Sequence, residues 1–323
     1  MGYIGGRLAK FLVGAGHEVY LGSRQLLSPP RWCPEARMVQ MQWEDDAALA
    51  SVCRGMDVVV HTAGMNAQDC AQNPRAALNF NGVCTERLVN AAIHQDVSRF
   101  IYFSTAHVYA SPLVGIINEK TIPTNTHPYA TTHRAGEDFV LSAASNKQID
   151  GCVIRLSNAF GAPMYANVNC WSLLLNDLCR QAVISKKMVL HSSGLQRRDF
   201  IPMADVCRAI AYLLFLPASR RESLELNYSQ SPSKDTVIPS QPIFNLGGLW
   251  SPTVWEIASL LQLRCEEVLG FRPSLARLEA TLGEQSAQLE YKMDSLSQMG
   301  FKLKKDPVFE LDQLLLFCNH VFA

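Results

Sequence analysis

Short apolar segments alternate with amphipathic helical segments through the first half of the chain, and this alternation constrains the fold most. Five segments predict strands: HEVYLGS, MVQMQW, DVVVHTA, RFIYFST and GCVIRLS. The segments between them, such as EDDAALASVCRGM, have the spacing of helices. Strands joined by helical crossovers lie parallel, and the helices cover both faces of the sheet. The pattern therefore predicts an α/β fold with a doubly wound parallel sheet.

In the second half of the chain the pattern changes to helical segments with only short strands. The segments MVLHSS, DFI and IFNLGG predict strands, and SPTVWEIASLLQL predicts a helix for which Ser251 is the expected N-cap. Asp306 and Pro307 predict the start of a final helix. The polar residues 217–241 predict a long loop.

Composition excludes several classes of function. Lys and Arg total 29, as do Asp and Glu, so no net charge favours binding to nucleic acid or to an anionic membrane. No apolar run reaches the roughly 18 residues of a membrane span, and the N-terminal residues lack the pattern of a signal peptide. The ten cysteines are scattered singly, which predicts reduced, buried thiols, no metal site and a cytoplasmic location.

The first residues, GYIGGRL, place Gly2 and Gly5 three apart at the start of a helical segment. Glycines at this position let a pyrophosphate approach backbone amides at the positive end of a helix. The same spacing also fits an ordinary tight turn, so this motif alone does not identify a nucleotide site.

Four later segments join the glycine motif in a fixed order. FIYFSTAHVYA contains Thr105, PYATTHRAGEDF contains Tyr129 and His133, RLSNAFGAP contains Asn158, and LQRRDFIPMADV contains Arg198. Together these motifs resemble the extended short-chain dehydrogenase/reductase family, which includes nucleotide-sugar epimerases, dehydratases and reductases. The resemblance runs from Gly2 to the last helix.

The resemblance implies a Rossmann-like sheet that lacks its first strand, because the family pattern begins with a strand and a glycine before Gly2. We expect that the true start lies upstream of Met1 or that the chain is a truncated product, with low stability and weak cofactor affinity if it begins at Met1. We predict a Rossmann-like NAD(P)-binding domain at residues 1–160, with returns near 196–216 and 242–248. Residues 161–323 would form a smaller α/β substrate-binding domain.

The resemblance also implies the cofactor site. Ser23 and Arg24 follow the second strand of the family pattern, where an acid would favour NAD; their presence favours NADP. Asn79 matches a helix asparagine that supports the sheet and the active site. The implied cofactor-binding residues are Gly2, Gly5, Ser23, Arg24, Thr62, Ala63, Gly64, Tyr129 and His133.

Three residues match the family's catalytic positions. Tyr129 would carry the proton, Thr105 would orient the substrate oxygen, and His133 would hold the nicotinamide ribose. The family has a lysine at the position of His133, four residues after the tyrosine and on the same helical face. Imidazole is mostly neutral at pH 7. Three alternatives stay open: slow turnover or an altered pH optimum, His133 as an acid/base partner, or binding without catalysis.

The substrate side matches a nucleotide-sugar site. Asn158 and Arg198 occupy positions that contact the nucleotide diphosphate or the sugar, beside Thr105. Family dehydratases carry Asp-Glu directly after the threonine, whereas this chain has Ala106 and His107, which argues against a 4,6-dehydratase. The expected function is nucleotide-sugar epimerisation or reduction, in a homodimer. The alternatives are a non-catalytic NAD(P)-binding remnant with a regulatory or scaffold role, and a reductase of a non-sugar carbonyl.

Overall fold

The computed structural model describes residues 1–25, 27–215, 242–304 and 306–323, so the loop predicted at 217–241 lies outside the described residues. The strands are β1 (Tyr20–Ser23), β2 (Arg37–Gln40), β3 (Val58–His61), β4 (Arg99–Thr105), β5 (Gly115–Ile117), β6 (Asp150–Leu156), β7 (Asn158–Phe160), β8 (Lys187–Val189), β9 (Phe200–Pro202), β10 (Ile243–Leu246), β11 (Ser274–Ala276) and β12 (Leu289–Tyr291).

The described helices are distributed among these strands along the chain. They are α1 (Tyr3–Gly14), α2 (Asp46–Cys53), α3 (Ala67–Gln72), α4 (Pro74–Ala77), α5 (Cys84–His94), α6 (Pro128–Ser145), α7 (Leu174–Ser185), α8 (Met203–Phe215), α9 (Val254–Leu269), α10 (Asp294–Gln298) and α11 (Pro307–Phe322). A π-helical turn, Leu78–Val83, joins α4 to α5.

The central sheet is parallel, as the alternation of strands and helices predicts. Four strands pair in the order β10-β6-β4-β3, and β1 pairs with β2 in a separate parallel sheet. In a doubly wound sheet the first strand lies between the second and the fourth. Within the described residues, the two sheets are thus separated where the resemblance implies an absent first strand.

Strand β4 lies at the centre of the packing. All seven of its residues are buried, and alternate side chains enter different cores. Ile101 and Phe103 pack with α1 and α8 on one face, whereas Phe100 and Tyr102 pack with α5 and α6 on the other. This period of two in an apolar run buried on both faces is typical of a parallel sheet.

The later helices form a third core. Helices α7, α9 and α11 bury apolar side chains against one another, among them Leu178, Leu261 and Leu314. The start of α11 follows the sequence prediction, because the Asp306 side chain accepts a hydrogen bond from the Phe309 amide at 3.1 Å. The prediction for the start of α9 is wrong, because the N-cap is Thr253 and not Ser251. Thr253 forms a capping box with Glu256.

A buried ion pair joins α6 to the sheet. The Arg155 side chain on β6 donates two hydrogen bonds to the Glu137 carboxylate, at 3.0 and 2.6 Å. The hydroxyl of Ser104, on β4, donates a third at 2.5 Å. The two charged side chains are only 5% and 2% exposed, so each charge depends on the other for compensation.

We predict that Glu137→Ala lowers the free energy of unfolding by about 3–5 kcal/mol, because it leaves the Arg155 charge buried without its partner. Urea unfolding followed by circular dichroism measures the change. The control is Glu18→Ala, which breaks the exposed pair with Arg37 and costs less than about 1 kcal/mol. Equal losses in the two variants would show that the buried pair does not anchor α6.

Candidate active site

Helix α6 presents three polar side chains toward β4, two of them at predicted catalytic positions. Tyr129, His133 and Glu137 are spaced four residues apart, so they lie along one face of this 18-residue helix. The helix begins at Pro128, where the His127 side chain accepts a hydrogen bond from the Tyr129 amide at 3.2 Å. Because Glu137 is bound to Arg155, the whole face is fixed against the sheet.

The predicted tyrosine and threonine lie together at the carboxyl end of β4. Burial raises the pKa of Tyr129, and the adjacent Thr105 side chain opposes that rise. Thr105 is buried, and its hydroxyl accepts a hydrogen bond from the His107 amide at 3.1 Å. The Thr105 hydroxyl is therefore close enough to the Tyr129 phenol to affect its pKa.

His133 contacts the tyrosine from the next turn of α6. The two ring centroids are 4.7 Å apart in an edge-to-face arrangement. The Nδ1 atom of His133 lies 3.0 Å from the Tyr102 hydroxyl. Burial lowers the pKa of His133 to about 4, so its imidazole is neutral at pH 7. It supplies no positive charge to lower the pKa of Tyr129.

The predicted glycines lie at the start of α1. Gly2 is the N-cap of this helix, and a Cβ placed on it would meet no atom within 4 Å. A Cβ on Gly5 would lie 3.0 Å from the Thr62 hydroxyl oxygen, so glycine allows α1 to approach the segment after β3. An open helix N-terminus with unpaired amides fits an anionic group such as a pyrophosphate.

The remaining cofactor-side residues lie at the ends of β1 and β3. Ser23 ends β1 and is buried, and its hydroxyl accepts a hydrogen bond from the Gln25 amide at 3.2 Å. Arg24 follows it and is exposed. Ala63 and Gly64 follow Thr62, and a Cβ on Gly64 would lie 3.4 Å from the Nε2 atom of His133. The segment after β3 thus reaches the catalytic face of α6.

The expectation for Asn79 is wrong, because its side chain is exposed. Asn81 has the supporting role instead: it is buried, accepts a hydrogen bond from the Met65 amide at 2.9 Å and donates one to the Thr132 hydroxyl at 3.0 Å. The π-helical turn at Leu78–Val83 changes which face each residue occupies, and a pattern read at the ordinary helical period does not reveal it.

On the substrate side, Asn158 and Arg198 lie on or next to the paired strands β7 and β9. The Asn158 amide donates a hydrogen bond to the Asp199 carbonyl at 2.9 Å, so the side chain is held against β9. Burial lowers the pKa of Arg198. Burial, and next the Arg198 charge, lower the pKa of His107.

Sequence reasoning missed the role of Asp199, the acid after Arg198 in the RDF segment. Its fully buried carboxylate accepts hydrogen bonds from the Ser157 hydroxyl at 2.6 Å and from the Gly248 amide at 2.8 Å. It also accepts one from the Trp250 amide at 3.2 Å. Burial raises the pKa of Asp199 to about 6. The carboxylate therefore holds the turn after β10 against β9.

The chain belongs to the NAD dependent epimerase/dehydratase family, whose model matches residues 1–227. Among curated relatives, the dTDP-D-glucose 4,6-dehydratase of Mus musculus is 31% identical over 160 residues, which are 49% of this chain and 44% of that protein. The dTDP-glucose 4,6-dehydratase of Streptomyces niveus is 26% identical over 196 residues, 60% of this chain and 57% of that one. The matched part thus spans about half the length of these relatives.

Solved structures of low sequence identity share the fold. DesIV, a dTDP-glucose 4,6-dehydratase from Streptomyces venezuelae with NAD and TYD bound, has a TM-score of 0.77 at 18% identity, covering 99% of this chain and 95% of that one. UDP-glucuronic acid 4-epimerase from Bacillus cereus, in complex with UDP-glucuronic acid and NAD, has a TM-score of 0.75 at 18% identity, with coverages of 99% and 97%.

The described residues offer neither a metal-binding cluster nor a membrane-spanning helix. No group of three or more His, Cys, Asp and Glu side chains there could hold a metal ion. None of the helices in the same part of the chain is long and apolar enough to span a membrane.

We predict that His133→Gln makes stability less sensitive to acid. The unfolded chain takes up a proton on this histidine near pH 6.5, but the folded site does so only near pH 4, so stability is lost as pH falls through that window. Between pH 7 and pH 5 the wild type should lose about 2 kcal/mol more than the variant.

Urea unfolding at the two pH values measures this difference. His61 is the second buried histidine: burial and then His133 lower its pKa to about 3, and it contributes in both proteins. The matched control is His320→Gln, because His320 is exposed. A slope in His133→Gln equal to that of the wild type would show that this imidazole is not held neutral by the fold.

Proposed function

We propose that this protein is an NAD(P)-dependent nucleotide-sugar epimerase or reductase that acts by hydride transfer at a sugar carbon. The observation that carries the proposal is the approach of Thr105, at the end of β4, to the Tyr129 phenol, together with the uncapped N-terminus of α1, which lies against Thr62 after β3. In parallel α/β sheets, ligands bind at the carboxyl ends of the strands.

The chain's own residues would perform the proton chemistry. A nicotinamide cofactor supplies the hydride acceptor or donor when it is bound. In oxidation, the Tyr129 phenolate takes the proton of the sugar hydroxyl as the C–H hydride leaves, and in reduction the phenol returns a proton to the carbonyl oxygen. The Thr105 hydroxyl orients that oxygen, and His133 donates a hydrogen bond to the ribose.

The substrate assignment rests on Arg198, which precedes β9. A guanidinium can donate two hydrogen bonds to a diphosphate, and Arg198 is half-buried with no carboxylate partner among the described residues. The relatives are named as 4,6-dehydratases, but Ala106 and His107 provide no carboxylic acid after Thr105. We therefore favour epimerisation or reduction over dehydration.

The cofactor preference is proposed to be NADP. Arg24 is exposed next to the end of β1, and Ser23 adds a hydroxyl at the same edge. Both can contact a ribose phosphate, and no acid follows β1 to bind a free ribose hydroxyl. Among similar folds, RMD from Pseudomonas aeruginosa is complexed with NADPH, whereas others hold NAD.

The domain division, assembly and location are also proposals. We propose that residues 1–160, with the returns near 196–216 and 242–248, bind the cofactor and that residues 161–323 bind the sugar.

The exposed Leu78 and Phe139 lie on the neighbouring helical segments α4–α5 and α6, which favours a homodimer through this face. Light scattering distinguishes that dimer from a 35.8 kDa monomer.

All ten cysteines are free and buried, which supports a reducing compartment such as the cytoplasm.

A second candidate function is a non-catalytic NAD(P)-binding protein with a regulatory or scaffold role. The neutral His133 favours it, because the phenol of Tyr129 lacks a fixed positive neighbour. A reductase of a non-sugar carbonyl is a third candidate, in which Arg198 would not affect the substrate's KM.

The function is tested by cofactor fluorescence titration followed by turnover assays with UDP-, dTDP- and GDP-sugars from pH 6 to pH 10. We expect turnover that rises with pH, because the phenolate must form without a cationic neighbour. Tyr129→Phe should lower kcat by roughly 10²- to 10⁴-fold and change cofactor affinity little.

The control is Tyr212→Phe, which removes a phenol on α8 that donates to the Met299 carbonyl away from the site. Binding of cofactor without turnover of any sugar would favour the non-catalytic alternative. Turnover that survives in Tyr129→Phe would remove this tyrosine from the mechanism.

We predict that Arg24→Ala weakens NADPH binding by roughly tenfold or more and leaves NADH binding unchanged, because a hydrogen bond to a charged phosphate is lost. Fluorescence titrations with both cofactors measure the two dissociation constants. Arg31→Ala, a change at another exposed arginine after β1, is the control. Equal effects on NADPH and NADH would contradict an NADP-specific role.

A further inference from the structure

Tyr102 lies beneath the predicted catalytic face and contacts two buried histidines. Its side chain is fully buried on β4. Its hydroxyl is 3.0 Å from the Nδ1 atom of His133 on α6. Its ring stacks against His61 at the end of β3, with centroids 5.5 Å apart and planes 28° apart. The sequence analysis assigned Tyr102 no role.

The position of each hydrogen in this cluster follows from its neighbours. Thr85 has one hydroxyl hydrogen, which it donates to the Asn81 carbonyl at 2.7 Å. The Nε2 atom of His61 is 3.0 Å from the same Thr85 oxygen, so His61 must be the donor in that bond. The Asn81 carbonyl therefore already accepts a hydrogen bond from Thr85, and it lies 3.5 Å from the Tyr102 hydroxyl.

The Tyr102 hydroxyl hydrogen goes to His133, because the Thr85 oxygen, its other side-chain neighbour, already accepts a hydrogen bond from His61. Its Nδ1 atom is the nearer acceptor by half an ångström, and an imidazole nitrogen is a strong neutral acceptor. An imidazole that accepts at Nδ1 and is neutral carries its single hydrogen on Nε2. The hydrogen bond from Tyr102 thus selects one of the two tautomers of His133.

The Nε2 atom of His133 faces Gly64. A Cβ on Gly64 would be 3.4 Å from it, and glycine leaves this space clear. No residue in the described part of the chain hydrogen-bonds this nitrogen, and it is not among the fully buried polar atoms that lack a partner. It is therefore an N–H donor without a partner among the described residues, and it keeps some exposure.

The packing holds Tyr102 in place. Gly136 lies three residues after His133, and a Cβ there would be 2.6 Å from the Tyr102 hydroxyl. The absence of a side chain at this position lets the phenol lie against α6. The stacked His61 ring closes the other side.

We propose that Tyr102 is a positioning residue that fixes His133 as the Nε2–H tautomer, so that His133 presents a hydrogen-bond donor to a ligand hydroxyl in the cleft beside Tyr129. A lysine at this position would supply a charge, whereas this arrangement supplies a directed neutral donor. The assignment of that hydroxyl to the ribose of NAD(P) rests on the proposed function, whereas the assignment of the tautomer is independent of it.

The tautomer is measured by long-range ¹H–¹⁵N correlation spectra of the full chain labelled with ¹⁵N-histidine, with His133 assigned from His133→Asn. In the wild type at pH 7 we expect a protonated Nε2 and an unprotonated Nδ1. Tyr102→Phe should give a mixture of the two tautomers. The Kd of this variant for NADPH should rise roughly three- to tenfold, because His133 no longer carries its hydrogen on Nε2 in every molecule.

Tyr291→Phe is the matched control, because Tyr291 is also a buried tyrosine with one hydrogen bond, to the Arg155 carbonyl at 2.7 Å. It should lose a similar amount of stability but keep the His133 spectrum and the NADPH affinity of the wild type. A wild-type His133 protonated on Nδ1 would overturn the proposal, as would an unchanged tautomer in Tyr102→Phe.

Failure of the two proposals can be told apart. A wild type that does not bind NADPH would contradict the cofactor assignment, while the spectra would still decide the role of Tyr102. If the wild type binds NADPH and the two phenylalanine variants have equal Kd values, the positioning role is excluded.

Discussion

The buried pair between Glu137 and Arg155 is the interaction on which the geometry of the site depends. It joins α6 to β6, and the Ser104 hydroxyl adds β4 to the same network. Ser104 precedes Thr105 in the chain, and Glu137 is two turns after Tyr129 on the same helical face. One ion pair therefore sets the distance between the helix that carries the phenol and the strand that carries the hydroxyl.

A second feature is the balance of charge at the site. The side chains around Tyr129 are neutral imidazole, phenol and hydroxyl groups, because burial disfavours the charged form of each titratable one. The arginines of the proposed cofactor and substrate sites, Arg24 and Arg198, are exposed and half-buried respectively. Under the proposed function, they would bind the anionic groups while proton transfer takes place among the neutral side chains.

The sequence predicted the parallel sheet and the shared helical face of Tyr129 and His133, because both follow from local periodicity. The position of Thr105 beside them was implied only by the family resemblance. Strand alternation gives the sheet, and the spacing of four residues places Tyr129 and His133 on one face of α6. It was wrong at Asn79 and at Ser251. At Asn79, a π-helical turn changed which side of the helix the residue occupies. At Ser251, the capping box of Thr253 and Glu256 moved the start of α9 two residues along the chain.

The sequence by itself determined which elements form and which residue types can do chemistry, since these depend on neighbours along the chain. Only the tertiary structure decided the protonation of His133, the role of Asp199 and the partner of Glu137. Each of these depends on burial and on residues far apart in sequence: Tyr102 for His133, Ser157 for Asp199 and Arg155 for Glu137. Such contacts leave no periodic pattern, because desolvation and hydrogen bonding arise only once the elements pack together.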